Sequence, residues 1–191
     1  MTPAQFQKVW EQKINQIKSY ARNTLPRHIG KIAVDHYHEN FQKGGFVDEN
    51  LEPWIPSKRI GKGKDAGSQY GTLLSARKEL YNSITDTPAE NSVKISSDKP
   101  YSRIHNEGGQ ISQNVNITPK MRRFAWAMHY KENPDSKEAF SAWKGLAITK
   151  KQTISRTFTI PKRKFMGRSI ALNRKIQERI QKDVKQILLS K

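Results

Sequence analysis

His105, Asn106 and Glu107 stand in a row, and a histidine two places from a carboxylate is a possible donor pair for a divalent metal. A metal-dependent nuclease is the chemistry such a pair would serve. That chemistry needs further ligands positioned as a set. The other histidines are 28, 36, 38 and 129, and none forms a motif with position 105. His36 and His38 flank Tyr37 on an expected helix, where residues two apart do not face each other. Read as architecture, His105 is a partly buried imidazole that fixes a turn. Other chemistries lack their residues. There is no cysteine, so thiol nucleophiles, disulfides and thiolate metal sites are excluded. There is no Gly-x-Ser-x-Gly elbow and no His-Glu-x-x-His. The Gly-rich stretch at 60–71 fits neither a Walker loop nor a dinucleotide fingerprint. The sequence therefore points to a protein with no catalytic, metal or cofactor-binding residues.

Charge is the second chemical signal. Of 191 residues, 35 are Lys or Arg and 17 are Asp or Glu, a net charge of +18. The excess is lopsided: +4 over residues 1–100 and +14 over residues 101–191. Acidic side chains are too sparse in the second half for a carboxylate-pair hydrolase. One run holds seven basic residues and no acidic one: Lys150, Lys151, Arg156, Lys162, Arg163, Lys164 and Arg168. Such a run expects a polyanion or the acidic face of a partner, or it is simply a solvated surface. No stretch approaches 18 apolar residues, and the first residues lack a signal peptide's apolar run. The expectation is a soluble protein, off the membrane, that assembles in a cytoplasm.

The elements that would hold these residues follow from apolar spacing. Phe6, Val9, Trp10, Ile14, Ile17 and Tyr20 predict an amphipathic helix over 3–21, capped by Thr2 with Pro3 at its first position. Pro26 starts a second helix through Ala33, Tyr37 and Phe41, closed by Gly44-Gly45. Residues 44–71 read as loop, with Trp54 plugging a core edge. Leu73, Leu74, Leu80, Tyr81 and Ile84 predict a third helix over 72–84, followed by a turn at 85–91. Val93 and Ile95 alternate as a strand. Tyr101–Gly109 reads as a strand entering a Gly108-Gly109 turn, with its partner strand through Ile111, Val115 and Ile117. Two helical runs at 119–150 carry the aromatics Phe124, Trp126, Tyr130, Phe140 and Trp143, a candidate subunit interface. A strand at 154–160 leads through Pro161 to a long final helix capped by Ser169.

The expected fold is α+β: a small antiparallel sheet packed by N-terminal and long C-terminal helices, with a helical insertion between strands. One domain spans residues 1–191, and 112–153 is a strand-plus-helical-hairpin insertion. Trp54, His105, Gly108, Gly109 and Pro161 are structural positions.

Three pieces of the chain carry a resemblance. They are LLSARKELYNSI at Leu73–Ile84, YSRIHNEGGQI at Tyr101–Ile111, and FTIPKRKFMGRS at Phe158–Ser169, with Trp54-Ile55-Pro56 upstream. In this order they resemble phage virion morphogenesis proteins of the Mu-like tail-completion type. Where that family has Thr-Gly, this chain has Arg77-Lys78, a change expected to leave a better helix. The resemblance implies a non-enzymatic structural protein of the neck, joining the tail to head connector or completion proteins as a homo-oligomeric ring. Tail terminator or tail-tube proteins are further implied partners. The basic run would meet an acidic connector surface or DNA in the channel. The implied location is the virion, after assembly in the host cytoplasm. Two alternatives stand beside it: a basic nucleic-acid-binding protein, and a nuclease built on His105 and Glu107.

Overall fold

The computed structural model describes residues 2–60, 69–133 and 141–190. The chain groups into two compact units, Met1–Gly108 with Pro161–Lys191, and Gly109–Ile160. Helix α1 spans Pro3–Ser19 and begins with a reciprocal cap between Thr2 and Gln5. A π-helical turn, Tyr20–Thr24, carries the chain without a break into α2, Leu25–Lys43. Pro26 fits the first turn of α2 because its missing N–H would be unpaired there anyway. Gly44 ends α2 in the left-handed region, at φ +67°.

The first unit is built on α2. Ala33, Tyr37 and Phe41 on one side of this helix meet Trp54, Leu80, Ile84, Phe165 and Leu172 in a single core. Phe41 is its centre, with ring centroids 5.5 Å from Trp54, 5.8 Å from Tyr81 and 5.2 Å from Phe165. The final helix, here α7, spans Ile170–Leu189. Its buried Asp183 accepts hydrogen bonds from Tyr20 Oη (2.7 Å), Arg179 Nε (2.7 Å) and His28 Nδ1 (3.0 Å). The π turn sets Tyr20 in reach of that carboxylate. Burial, and then Asp183, pushes the Tyr20 phenol up to about 12.

The fold class is α+β, and the antiparallel strands fall into three two-stranded ladders. β1 (Gly45–Val47) pairs with β2 (Leu51–Pro53), a hairpin inside what the sequence presents as loop. β3 (Ile84–Ala89) pairs with β4 (Ser92–Ser97). The strand at Val93 and Ile95 is thus present, but 85–91 is mostly its partner strand and not a turn.

The expected helix over 72–84 shrinks to α3, Glu79–Asn82. Leu73 and Lys78 adopt positive φ (61° and 50°), and successive turns replace a helix. Arg59 donates to the carbonyls of Gly71 and Leu74. The expected strand at Tyr101–Glu107 is also a helix, α4, Ser102–Glu107. Tyr101, Ile104 and His105 satisfy helical spacing as well as alternation satisfies a strand, and nine residues do not separate the two periods.

The second unit opens with β5, Gly109–Asn116, whose partner is not a neighbour across the Gly-Gly turn but β6, Thr153–Ile160. Between them lie α5, Pro119–Glu132, capped by Thr118, and α6, Ala142–Ile148, capped by Ser141. Their contact buries Ala125, His129 and Ala147. Arg122 clamps it by donating to the carbonyls of Ala147, Thr149 and Lys151. Among the described residues, no helix is long and apolar enough to cross a membrane.

Candidate functional site

The three sequence pieces meet around the loop 161–169, within the first unit. This loop has no regular backbone pairing, so its polar groups need partners from elsewhere. Trp54 Nε1 donates to Lys164 O at 2.7 Å. Asn106 Oδ1 accepts from both Phe165 N (2.9 Å) and Met166 N (3.0 Å). Asn40 Nδ2 donates to Phe165 O at 3.1 Å, and Tyr37 Oη to Gly167 O at 3.0 Å. Ser169 Oγ caps α7 by accepting from Leu172 N, and it donates to Val47 O at 2.8 Å. Each piece of loop backbone is thereby keyed to a different element, and Phe165 is pressed fully into the core.

The His-Asn-Glu triplet divides its labour. Asn106 holds the loop. His105 gives its carbonyl to Arg163 N at 2.8 Å, and its Nδ1 is enclosed with no hydrogen-bond partner among the described residues. Burial, then the charge of Arg163, lowers the His105 pKa below its usual range. Glu107 is exposed and paired with Arg103, one turn before it on α4. Among the described residues, no three His, Asp or Glu side chains are placed to share a metal. His105 is therefore not a strand-end residue but a half-buried one on a short helix.

The basic run is split. Lys150, Lys151 and Arg156 are exposed in the second unit, while Lys162, Arg163, Lys164 and Arg168 belong to the first. Of these four, Lys162 and Arg168 are exposed. Lys164 Nζ lies 3.8 Å from the centre of the Phe46 ring and donates to Arg168 O. Arg163 is only 8% exposed, and its Nε donates to Ile55 O at 2.8 Å. It is a fixed part of the junction and not a member of an open basic surface.

The aromatic set is split as well. Phe124 is 56% exposed and meets Trp143 edge-on, with centroids 5.8 Å apart. With Met121 and Leu146 these two line an apolar recess of about 340 Å³, and Arg156 completes its wall. Trp126 and Tyr130 stack 5.7 Å apart as a separate pair. Phe140 lies outside the described residues.

Gly108 and Gly109 have φ of +76° and +146°. A Cβ on Gly108 would fall 2.8 Å from Lys162 N, so the chain leaving the unit lies directly against the chain returning through Pro161. Sequence reasoning missed Asn106, Asn40 and Arg59. Asn40 did leave a signal, since it sits on the apolar stripe that carries Phe41, and a polar residue there needs a buried partner.

No curated protein and no solved structure matches the chain. A model of the phage virion morphogenesis family matches residues 5–185, nearly the whole length. With its motif pieces converging on one junction, the chain belongs to the phage virion morphogenesis family, and its part in the phage is in building the virion.

Proposed function

We propose that this is a structural, non-enzymatic protein of the phage neck, joining the tail to head connector or completion proteins as one subunit of a homo-oligomeric ring. The observation that carries the reading is the ribbon β5–β6. Both strands run eight residues, pair only with each other among the described residues, and are largely exposed. A lone two-stranded ribbon is marginal in water, and an open edge offers unpaired N–H and C=O groups to another strand. One face shows Ile111, Val115, Ile154, Phe158 and Ile160, and the other only Ser, Thr, Asn and Gln. Among 35 basic residues in the chain, only Arg156 lies in these strands. Copies of a strongly cationic protein meet at least electrostatic cost where charge is lowest. Adding the β6 edge of one copy to the β5 edge of the next is a head-to-tail contact, the kind that closes rings.

Helix α1 adds a second adhesive surface. It has no buried residue, and Phe6, Val9 and Trp10 are 60%, 40% and 52% exposed. Assembly of this sort takes place in the host cytoplasm, and the protein stays in the finished virion. Mass photometry and negative-stain imaging of the purified protein, alone and with connector and tail-tube proteins, test the reading. Rings, or a stoichiometric complex with either partner, are expected. A monomer indifferent to both partners would overturn it.

A nucleic-acid-binding reading has the charge in its favour, with Lys150, Lys151 and Arg156 all exposed. It calls for duplex binding that weakens steeply with salt.

A further inference from the structure

Arg163 presents an unusual balance. It is 92% enclosed by an 8% exposure, yet no carboxylate among the described residues comes within 4.0 Å of it. Its Nε–H is satisfied by Ile55 O, and the two Nη groups have no hydrogen-bond partner among the described residues. A guanidinium holds five donors in a fixed fork, and buried charges are ordinarily paired. Arg163 lines a recess of about 240 Å³ together with Arg59, His105, Tyr101 and Ser75. The acid on this lining, Glu79, is directed to Arg77 (3.8 Å) and to Tyr101 Oη (3.5 Å). Leu73, Leu74 and Leu80 supply apolar wall. The recess thus combines a guanidinium with no carboxylate partner among the described residues, a second arginine and an aliphatic lining.

We propose that this recess is a receptor for a single carboxylate, carried by a glutamate or aspartate side chain of a partner protein. A carboxylate matches the guanidinium fork in two parallel hydrogen bonds. The leucines suit the methylene stem that brings it in. A DNA phosphate fits less well, because the duplex backbone is convex and Arg163 lies below the surface. Burial and the neighbouring Arg59 both lower the Arg163 pKa, as expected of a cation waiting for its counter-charge. The inference rests on the neck reading only for the identity of the carrier, an acidic face on a neighbouring virion protein.

The test uses the full chain and small probes. N-acetyl-glutamate N-methylamide is titrated in while the side-chain Nε–H resonance of Arg163 is followed by NMR at constant ionic strength. The glutamine analogue is the neutral control, and diethyl phosphate stands for the nucleic-acid backbone. A saturable shift with the glutamate probe, absent with glutamine and smaller with the phosphate, is expected. No shift, an equal shift with glutamine, or a larger one with diethyl phosphate would overturn the proposal. A second arm avoids disturbing Arg163. Ser75→Glu places a carboxylate on the lining, and Ser75→Gln is its uncharged match. The Glu variant is expected to melt higher than the Gln variant and to lose its response to the probe. Equal melting with an intact response would sink the idea. Probe binding by a protein that never assembles would refute the neck reading and leave the receptor standing. Assembly without probe binding would do the reverse.

Discussion

The two units solve the problem of an irregular, basic sequence in opposite ways. The first encloses Phe41, Phe46 and Phe165, each no more than 2% exposed, and ties a nine-residue loop down with buried amides and hydroxyls. Among the described residues, the second buries only Ala125, His129 and Ala147 and leaves Phe124, Tyr130, Ile111 and Phe158 in the open. The same residue types serve as core in one place and as surface in the other. What separates them is whether this chain supplies the covering layer. The first unit encloses its aromatic centre around Phe41, although its helix α1 stays exposed, and the second leaves its large rings exposed.

The comparison is broken most directly by deleting the same ring from each region. Phe165→Ala empties a fully buried site against Phe41, and a loss of about 3–5 kcal/mol is expected. Phe124→Ala removes a mostly exposed ring that touches Trp143, and a change within about 0.5 kcal/mol is expected. Urea unfolding monitored by tryptophan fluorescence measures both. Equal losses would mean that Phe124 belongs to a core as real as the first.

Next in size is the polar key. Asn106→Ala strips two loop N–H groups of their acceptor, at a cost of about 1–3 kcal/mol for each group left buried and unpaired. Glu107→Ala removes only an exposed pair with Arg103, worth roughly 0.5 kcal/mol or less. The same unfolding experiment separates the neighbours, and a Glu107 effect as large as that of Asn106 would contradict the division of labour within the triplet.

That triplet also shows how much could be read from sequence. The helices α1, α2 and α7 announce themselves because their apolar stripes run for four or more turns and their caps are explicit: Thr2 with Gln5, Gly44, Ser169. The stretches 72–84 and 101–107 do not, because their shape is set by distant groups. Arg59 takes the carbonyls of Gly71 and Leu74, and Asn106 is defined by a loop some sixty residues later. Local spacing carries no trace of either contact. Trp54, His105 and Gly108 read from the sequence as structural positions, His105 at a strand end and not on the helix it occupies, whereas the role of Asn106 is hidden between two residues that look more chemical.

Acid should loosen the first unit through its two enclosed imidazoles. Burial, then Lys175, lowers the pKa of His36 from its ordinary 6.5, with Lys43 acting the same way and Glu39 against. Burial, then Arg163, lowers that of His105. The unfolded chain therefore takes up these protons at higher pH than the folded one does. Their contribution is whole above about pH 6.5 and drains away as pH falls toward the depressed folded values. The urea midpoint should decline between pH 7.5 and pH 5.5, and His36→Gln should flatten that slope whatever it does to the absolute midpoint. A slope unchanged in both His36→Gln and His105→Gln would show that neither imidazole is held neutral by burial.

A further expected effect is a gain, at the turn before α3 in the first of the family-like pieces. Lys78 occupies the place where related proteins were expected to carry glycine, and a better helix was the anticipated result. Instead Lys78 takes φ 50° and ψ 37°, the left-handed conformation that a glycine adopts freely. A lysine thus stands in a backbone shape that suits glycine. A left-handed conformation costs an L-residue about 1–2 kcal/mol, and glycine gives back about 0.5–1 of that in unfolded-state entropy. Lys78→Gly should therefore stabilise the protein by roughly 0.5–1 kcal/mol. The long contact of Lys78 Nζ with the Tyr81 ring, at 5.8 Å, offsets little. Lys78→Ala is the control that separates backbone from side chain, since it removes the amine and retains the strain. If the alanine variant gains as much as the glycine, the left-handed turn is not the cause. If only glycine gains, the turn before α3 is demanded by the core packing of Leu74 and Leu80 on either side of it, and not by the residue that happens to fill it.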